Sequence, residues 1–307
     1  MIGITEIGCY IPENKTSNID RMDEFNTDES FITEKLGIKQ VSVKELNDNV
    51  SDMCVKAYHN LSEKTTIDLN KIKALVLITQ NPDTKIPHTS AIIHKKLNLP
   101  ENCACFDVSL GCSGYVYGLS ILSSFLTANG YTEGLLFTCD PYSTIINPSD
   151  KNTAFLFGDA ATVTLLSEAP IFKLGKFSFG TIGKESHNLT CDFNEELFMN
   201  GRGIFNFAAR YVPVDLKKSL ELNKIELNDL DSVIFHQGSK YIIDTLIKRI
   251  GLNPEKVVCD IMDYGNTVSS SIPILLEKEI PQISKNNIFI CGFGVGLSWA
   301  STILTRN

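Results

Sequence analysis

No stretch of this 307-residue chain reaches the ~18–20 consecutive apolar residues that a membrane-spanning helix needs, so no span is expected. The opening MIGITEIGCYIPENK has neither a basic start nor a small-residue cleavage site. No secretory signal is read there, and a cytoplasmic location is expected. Positive charge is in short supply. Lys and Arg number 28 against 36 Asp and Glu, for a formal net charge of −8. That balance argues against non-specific nucleic-acid binding. Paired metal-ligand spacings are missing too. Cys103 and Cys105 form C-x-C, but no nearby histidine or second pair completes a zinc site, and no metal is expected. The nine cysteines are odd in number and scattered. Cys9, Cys54, Cys103, Cys105, Cys139 and Cys291 lie in apolar or strand-like segments, which suits reduced thiols better than a disulfide framework.

What is present is a repeat. One block begins at Lys73, KALVLITQNPDTKIPHTSAIIHKKLNLPENCACFDVSLGCSGYVYGLSIL. A second begins at Asp231, DSVIFHQGSKYIIDTLIKRIGLNPEKVVCDIMDYGNTVSSSIPILLEKEI. Each reads as an apolar strand, a helix with a basic end, an Asn-Leu-Pro-Glu-like turn, a strand, a glycine and a helix. Pro100 to Cys112 spans twelve positions, and so does Pro254 to Asn266. Gly111-Cys112 therefore superposes on Gly265-Asn266. Each block leads to another strand ending in cysteine, GLLFTCD at Cys139 and NNIFICG at Cys291. The pattern predicts an α/β fold made from two duplicated β-α-β-α-β halves, residues 1–168 and 169–307. The runs ALVLI, SVIF, LLFT and IFIC are continuous rather than alternating, as in a sheet buried on both faces. The acidic stretch 18–50 reads as an insertion after the first strand, and 170–205 as surface connections.

The duplication brings equivalent points opposite each other. Cys112 and Asn266 are such points, each after a strand and at the opening of a helix, where open α/β sheets bind ligands. A cysteine there meets the positive end of the helix dipole and free backbone N–H groups. Both favour thiolate and raise nucleophilicity, and the same N–H groups can hold an oxyanion. The plainer reading of Cys112 is a small residue at a tight strand–helix junction. His236 follows SVIF directly, which points it into the same crevice; capping the next helix is the alternative. Asn266, in YGNTVSS, is a nucleophile's partner or a helix N-cap. His59, His88, His94 and His187 are weaker candidates. The CGFGVGLSWAS stretch (291–301) lacks the lysine and hydroxyl residue of a phosphate loop, but its glycines allow a backbone N–H to approach a carbonyl.

DVSLGCSGYVYGLSI, HQGSKYII, GNTVSSSIP and GFGVGLSWAS, in that order, resemble β-ketoacyl-acyl-carrier-protein synthase III of the thiolase superfamily. The likeness extends to ITEIGCYIPENKTSN, LGIKQ and LFGDAATVTLL, nearly the whole chain. It implies a five-layered αβαβα fold and a homodimer. It implies that Cys112 accepts the acyl group and that His236 and Asn266 complete a Cys-His-Asn triad. The N–H groups of Cys112 and of the 293–296 loop, at Val295, form the oxyanion hole. The implied reaction is a decarboxylating Claisen condensation. Cys112 takes the acyl group of a thioester, usually acyl-CoA, and a malonyl thioester, usually on acyl carrier protein, loses CO₂ and attacks it. His236 and Asn266 donate to the developing enolate, which requires a neutral histidine carrying Nε2–H. No metal or redox cofactor is implied.

Some positions depart from the family pattern. HQAN reads His236-Gln237-Gly238-Ser239, with Lys240 and Tyr241 where an arginine usually follows. Val295 replaces the central glycine of FGGG. The acyl- and CoA-contacting positions fall on Phe31, Lys35, Lys151 and Ser239, and lysine lacks the bidentate fork of arginine. The far end of the acyl tunnel, often supplied across the dimer, falls on Ile86. A specialised member serving a secondary metabolite or a surface-glycan acyl group fits these changes. Docking of an acidic carrier protein needs a basic patch, and Lys240, Lys248 and Arg249 are candidates against ordinary solvated helix charge. Rival readings are an acyltransferase passing the acyl group from Cys112 to an alcohol or amine, a papain-type Cys-His-Asn hydrolase, an inactive partner subunit, and a chalcone-type synthase. The repeat and GNT disfavour the hydrolase, and the intact triad disfavours the inactive subunit. Asn266 favours condensation over plain transfer, and the length disfavours the chalcone type.

Overall fold

The computed structural model describes residues 1–192 and 196–307. The strands run β1 (Gly3–Tyr10), β2 (Lys15–Ser17), β3 (Gln40–Ser42), β4 (Ile72–Ile78), β5 (Ala104–Val108), β6 (Glu133–Cys139) and β7 (Ala161–Ser167). They continue with β8 (Phe172–Leu174), β9 (Ser178–Thr181), β10 (Leu189–Thr190), β11 (Phe198–Met199), β12 (Ser232–Phe235), β13 (Asn287–Gly294) and β14 (Ser298–Arg306). The α-helices are α1 (Val50–Lys64), α2 (Thr89–Lys96), α3 (Gly114–Asn129), α4 (Lys151–Ala154), α5 (Gly201–Asn223), α6 (Lys240–Ile250) and α7 (Ser271–Glu279).

Hydrogen bonding orders the main sheet β12-β13-β14-β8-β1-β7-β6-β4-β5, with β9 also on β14. The two halves repeat one plan. In the first, β4 lies parallel to β5 and β6, and β7 and β1 follow antiparallel. In the second, β12 lies parallel to β13, and β14 and β8 follow antiparallel. The counterpart of β5 shrinks to a single parallel bridge between Val257 and Val233. The halves meet where β8 pairs antiparallel with β1, Ile4 opposite Phe172. Residues 170–205 are thus not only surface connections. Phe172 is fully buried, and β8 is the seam of the molecule. Three residues containing Lys173 carry too little apolar pattern to announce a strand; two ready partners recruit them.

Continuous apolar strands fold this way because both faces are covered. Helices α1 and α2 pack on the outer face of the first half, α5 and α6 on that of the second, and α3 and α7 touch strands of both. The layers are therefore α, β, α, β, α. Tyr115, Leu119, Leu122 and Leu126 of α3 and Ile272, Leu275 and Leu276 of α7 share one buried cluster with Val76, Ile78, Ile288 and Ile290. Each such side chain contributes about 1.5–3 kcal/mol by leaving water. Stretch 18–50 packs beside this frame, its β2–β3 ribbon held by Asn18 Nδ2 donating to the Ile38 and Phe155 carbonyls at 3.0 and 2.9 Å. No described helix is long and apolar enough to cross a membrane.

Candidate active site

Cys112 sits in the turn between β5 and α3, two residues before the helix begins. His236 continues β12, its N–H donating to the Cys291 carbonyl at 2.8 Å, so the imidazole lies at the carboxyl end of the sheet. Asn266 is tied to the first half. Its N–H donates to the Leu156 carbonyl at 2.8 Å, and its carbonyl accepts the Gly158 N–H at 3.0 Å. Gly265 makes this approach at φ 79°, with Leu156 O only 2.9 Å from where a Cβ would stand. Cys112, His236 and Asn266 all line one cavity of about 470 Å³. Each is at most 4% exposed.

The β13–β14 turn closes over the cysteine. A Cβ on Gly294, at φ 158°, would lie 2.7 Å from Cys112 Cβ and Sγ, so only glycine fits. That closeness brings the Val295 N–H to the thiol, beside the N–H of Cys112 itself. Two donors therefore converge on the sulfur. They do not make it acidic. Burial pushes the thiol up to about 12, and the carboxylate of Asp140 adds to that, against the pull of the two N–H groups. The expectation of a thiolate favoured at neutral pH is corrected. Loss of water around sulfur outweighs the helix end.

His236 is also neutral. Burial drives it down to about 3, although the Val268 carbonyl opposes the shift. Its Nδ1 lies 2.7 Å from Ser271 Oγ, and the Ser271 hydroxyl donates to the Val268 carbonyl at 3.0 Å. The direction of the Nδ1 contact follows the tautomer: the Ser271 oxygen accepts from Nδ1–H, or the Ser271 hydroxyl turns to donate to a bare Nδ1 and Nε2 carries the proton. Asn266 Oδ1 accepts the Val268 N–H at 2.9 Å, so its local turn duty uses the oxygen alone and spares the amide nitrogen. Val268 holds φ 52°, a left-handed conformation a β-branched residue rarely takes. Its loop is pinned from the other half, since Ser269 Oγ donates to Asp140 and Ser270 Oγ lies 2.8 Å from Thr138 Oγ1.

Two convergent N–H donors at a buried cysteine, with an imidazole and an amide on the same cavity, suit acyl transfer through sulfur. Comparison with known proteins agrees. The family described as 3-oxoacyl-[acyl-carrier-protein] synthase III matches residues 106–183, and its C-terminal region matches 220–306. The β-ketoacyl-[acyl-carrier-protein] synthase III of Streptococcus sanguinis is 32% identical over 98% of each chain. The chain belongs to the β-ketoacyl-acyl-carrier-protein synthase III family. The Thermus thermophilus synthase III structure superposes with a TM-score of 0.92 at 27% identity, covering 99% of both chains. A priming β-ketosynthase of the R1128 polyketide pathway superposes at 0.91 and 25% identity, covering 100% of this chain and 96% of that one. The five-layered thiolase-like architecture is that of the family, and the chain is a condensing enzyme of the acyltransferase class.

Within this synthase III frame the remaining expected residues separate. Phe31, Lys35, Lys151 and Ser239 line the cavity with Cys112, His236 and Asn266. Lys151 Nζ stands 4.7 Å and Lys35 Nζ 5.5 Å from the centre of the Phe31 ring. Ser239 also caps α6, accepting the Ile242 N–H at 3.3 Å. That settles which residue starts α6, and it is not His236. Ile86 is 88% exposed and lines neither this cavity nor its neighbour. Lys240 pairs with Asp244, whereas Lys248 and Arg249 are exposed at the end of α6. Sequence reasoning missed Arg202 and Phe205 on this cavity, and named Tyr241, which stacks on Phe205 at 5.2 Å, only as a departure from the family pattern. It also missed Ser271 and Asp140. SSSIP and TCDP carry no local signal for either, because their partners lie 35 and 129 positions away.

Proposed function

We propose that Cys112, His236 and Asn266 carry a decarboxylating condensation between an acyl thioester and malonyl-acyl carrier protein. The carrying observation is that all three open on one cavity while two backbone N–H groups converge on the Cys112 sulfur. In the first half-reaction, bare Nε2 of His236 takes the thiol proton as sulfur attacks the acyl carbonyl. The oxyanion rests on the N–H groups of Cys112 and Val295. The donor's carbon–sulfur bond breaks, and its thiolate takes the proton from His236. A thiol at about 12 beside an imidazole at about 3 forms no resting ion pair, so proton transfer accompanies attack.

In the second half-reaction the malonyl thioester occupies the same cavity. Its carboxylate leaves as CO₂, and the electron pair moves to the thioester oxygen. Asn266 Nδ2 and His236 Nε2–H donate there. The histidine reaches that form by taking a proton at Nε2 from solvent and releasing the one at Nδ1, after which the Ser271 hydroxyl turns to donate to Nδ1. The enolate carbon attacks the acyl-cysteine, the C–S bond breaks, and the released Cys112 thiolate takes a proton from solvent. Removing one such donor costs about 10²–10³ in rate. The balance closes without a metal or redox group.

Acyl-CoA is the proposed acyl donor. Lys35, Lys151 and Arg202 at the mouth give a cationic rim for a phosphate-bearing arm, and Phe31 gives an aromatic face for a base. Lys248 and Arg249 are proposed to meet the acidic carrier protein, with Lys240 partly neutralised by Asp244. A second copy is proposed to pair at β5. This strand ends the sheet with every residue half-buried, and Phe106 packs 5.8 Å from Phe125 behind it. The repeated strand plan supports halves at 1–168 and 169–307, and we place the enzyme in the cytoplasm. Intact-mass measurement tests the reading. Incubation with acyl-CoAs adds one acyl group, Cys112→Ala abolishes the adduct, and malonyl-acyl carrier protein discharges it as β-ketoacyl product. An adduct discharged only by an alcohol or amine moves the assignment to plain acyl transfer.

A further inference from the structure

The acyl group on Cys112 needs space of its own. The malonyl arm must enter the 470 Å³ cavity after the donor arm has left it, so the bound acyl chain has to point elsewhere. A second cavity, of about 830 Å³, opens beside the oxyanion turn. Val295 and Leu189 border it, and Leu189 borders the first cavity too. The lining nearest the nucleophile is polar. Gln80 and Val295 stand against Gly111: a Cβ there would lie 2.5 Å from Gln80 Oε1 and 2.9 Å from Val295 Cγ1. Tyr142 is 2% exposed and packs on Phe157 at 4.9 Å. Burial, then the charge of Asp140, keeps its hydroxyl protonated, and it donates to Gln80 Oε1 at 2.8 Å. Asn81, also on this cavity, buries an Oδ1 without a partner. Gln80 Nε2 has no acceptor among the described residues. Asp140 holds the segment in place by accepting the Gln80 N–H at 2.7 Å.

We infer that Gln80 and Tyr142 select a short primer bearing a hydroxyl group beyond its thioester carbonyl. The inference rests on the proposed role of Cys112. A saturated chain entering past Gln80 and Tyr142 meets unpaired polar atoms and gains nothing from them. A hydroxyl accepts from Gln80 Nε2 and donates to the Tyr142 oxygen, whose own proton is spent on Gln80 Oε1. Because it is both donor and acceptor, it satisfies the Gln80 amide in either orientation. Sites built to bind a substrate hydroxyl discriminate strongly against the analogue that lacks it.

The test measures initial rates of Cys112 acylation by intact mass with acetyl-, butyryl- and 3-hydroxybutyryl-CoA. Wild type is expected to favour 3-hydroxybutyryl over butyryl by about tenfold or more. Gln80→Leu keeps the bulk and removes the polar end, and the ratio should fall toward or below one. Tyr142→Phe removes a single oxygen and frees Gln80, so it shifts the ratio even if the first variant folds poorly. Efficient acylation by acetyl or butyryl with no preference for the hydroxyl overturns the selectivity and leaves Cys112 as nucleophile. Acylation by no donor overturns the role of Cys112, and the selectivity falls with it.

Discussion

Neutral His236 has a consequence for pH that can be worked out in advance. In the proposed mechanism the neutral imidazole donates Nε2–H to the enolate, and that mechanism uses its uncharged form. A histidine with an ordinary pKa of ~6.5 would lose about thirtyfold of that form between pH 8 and pH 5. His236, held at about 3 by burial, loses almost none. Asp140, also buried, titrates in this window, pushed up to about 6 by burial against the hydrogen bonds of Ser269 and Gln80. Asp140→Asn keeps the shape and an acceptor for the Gln80 N–H while removing the titration. The assay is CO₂ release from malonyl-acyl carrier protein at saturating substrate, from pH 8.5 to 5. Wild type should show at most one inflection, near 6, and Asp140→Asn should show none. A fall of about thirtyfold centred near 6.5 that persists in Asp140→Asn would refute the neutral, buried imidazole.

The same two groups act on stability with opposite sign. The depressed pKa of His236 contributes stability that is present above ~6.5 and lost as pH falls toward about 3, whereas the raised pKa of Asp140 contributes stability present below ~3.8 and lost as pH rises through about 6. Between pH 4 and 6 they offset each other. Asp140→Asn should therefore melt at temperatures that fall more steeply than wild type over that range, and parallel curves would count against the pairing. Gly294→Ala should cut Cys112 acylation by about a hundredfold while the circular-dichroism spectrum is retained, because a Cβ 2.7 Å from Sγ must displace it. Ser271→Ala should slow malonyl decarboxylation by about three- to tenfold, with acylation less affected, as measured in separate half-reactions. Lys35→Ala and Lys151→Ala should each raise KM for acyl-CoA by about two- to fivefold with kcat unchanged, an effect that added salt shrinks.

Much of this protein was legible in its sequence because the repeat is. Equal spacing from Pro100 to Cys112 and from Pro254 to Asn266 predicts two equivalent strand–helix junctions, and both line one cavity. Apolar runs such as ALVLI announce strands covered on both faces. Phe31, Lys35, Lys151 and Ser239 were found through motif resemblance, and they do reach the cavity. Other features left no local trace. β8 is three residues long and is a strand only because β1 and β14 flank it. The pairs Gln80–Tyr142 and Asp140–Ser269 join segments 62 and 129 positions apart.

The sequence alone determined the architecture and singled out the groups proposed to react. Periodicity encodes which faces are buried, and a nucleophile's type and junction are local properties. Tertiary structure alone decided the protonation of those groups. A helix-end cysteine reads as acidic until the turn at Gly294 seals it from water, and a histidine reads as titrating near neutrality until the fold encloses it. Desolvation depends on what packs around a group from distant parts of the chain, and no local pattern carries that information.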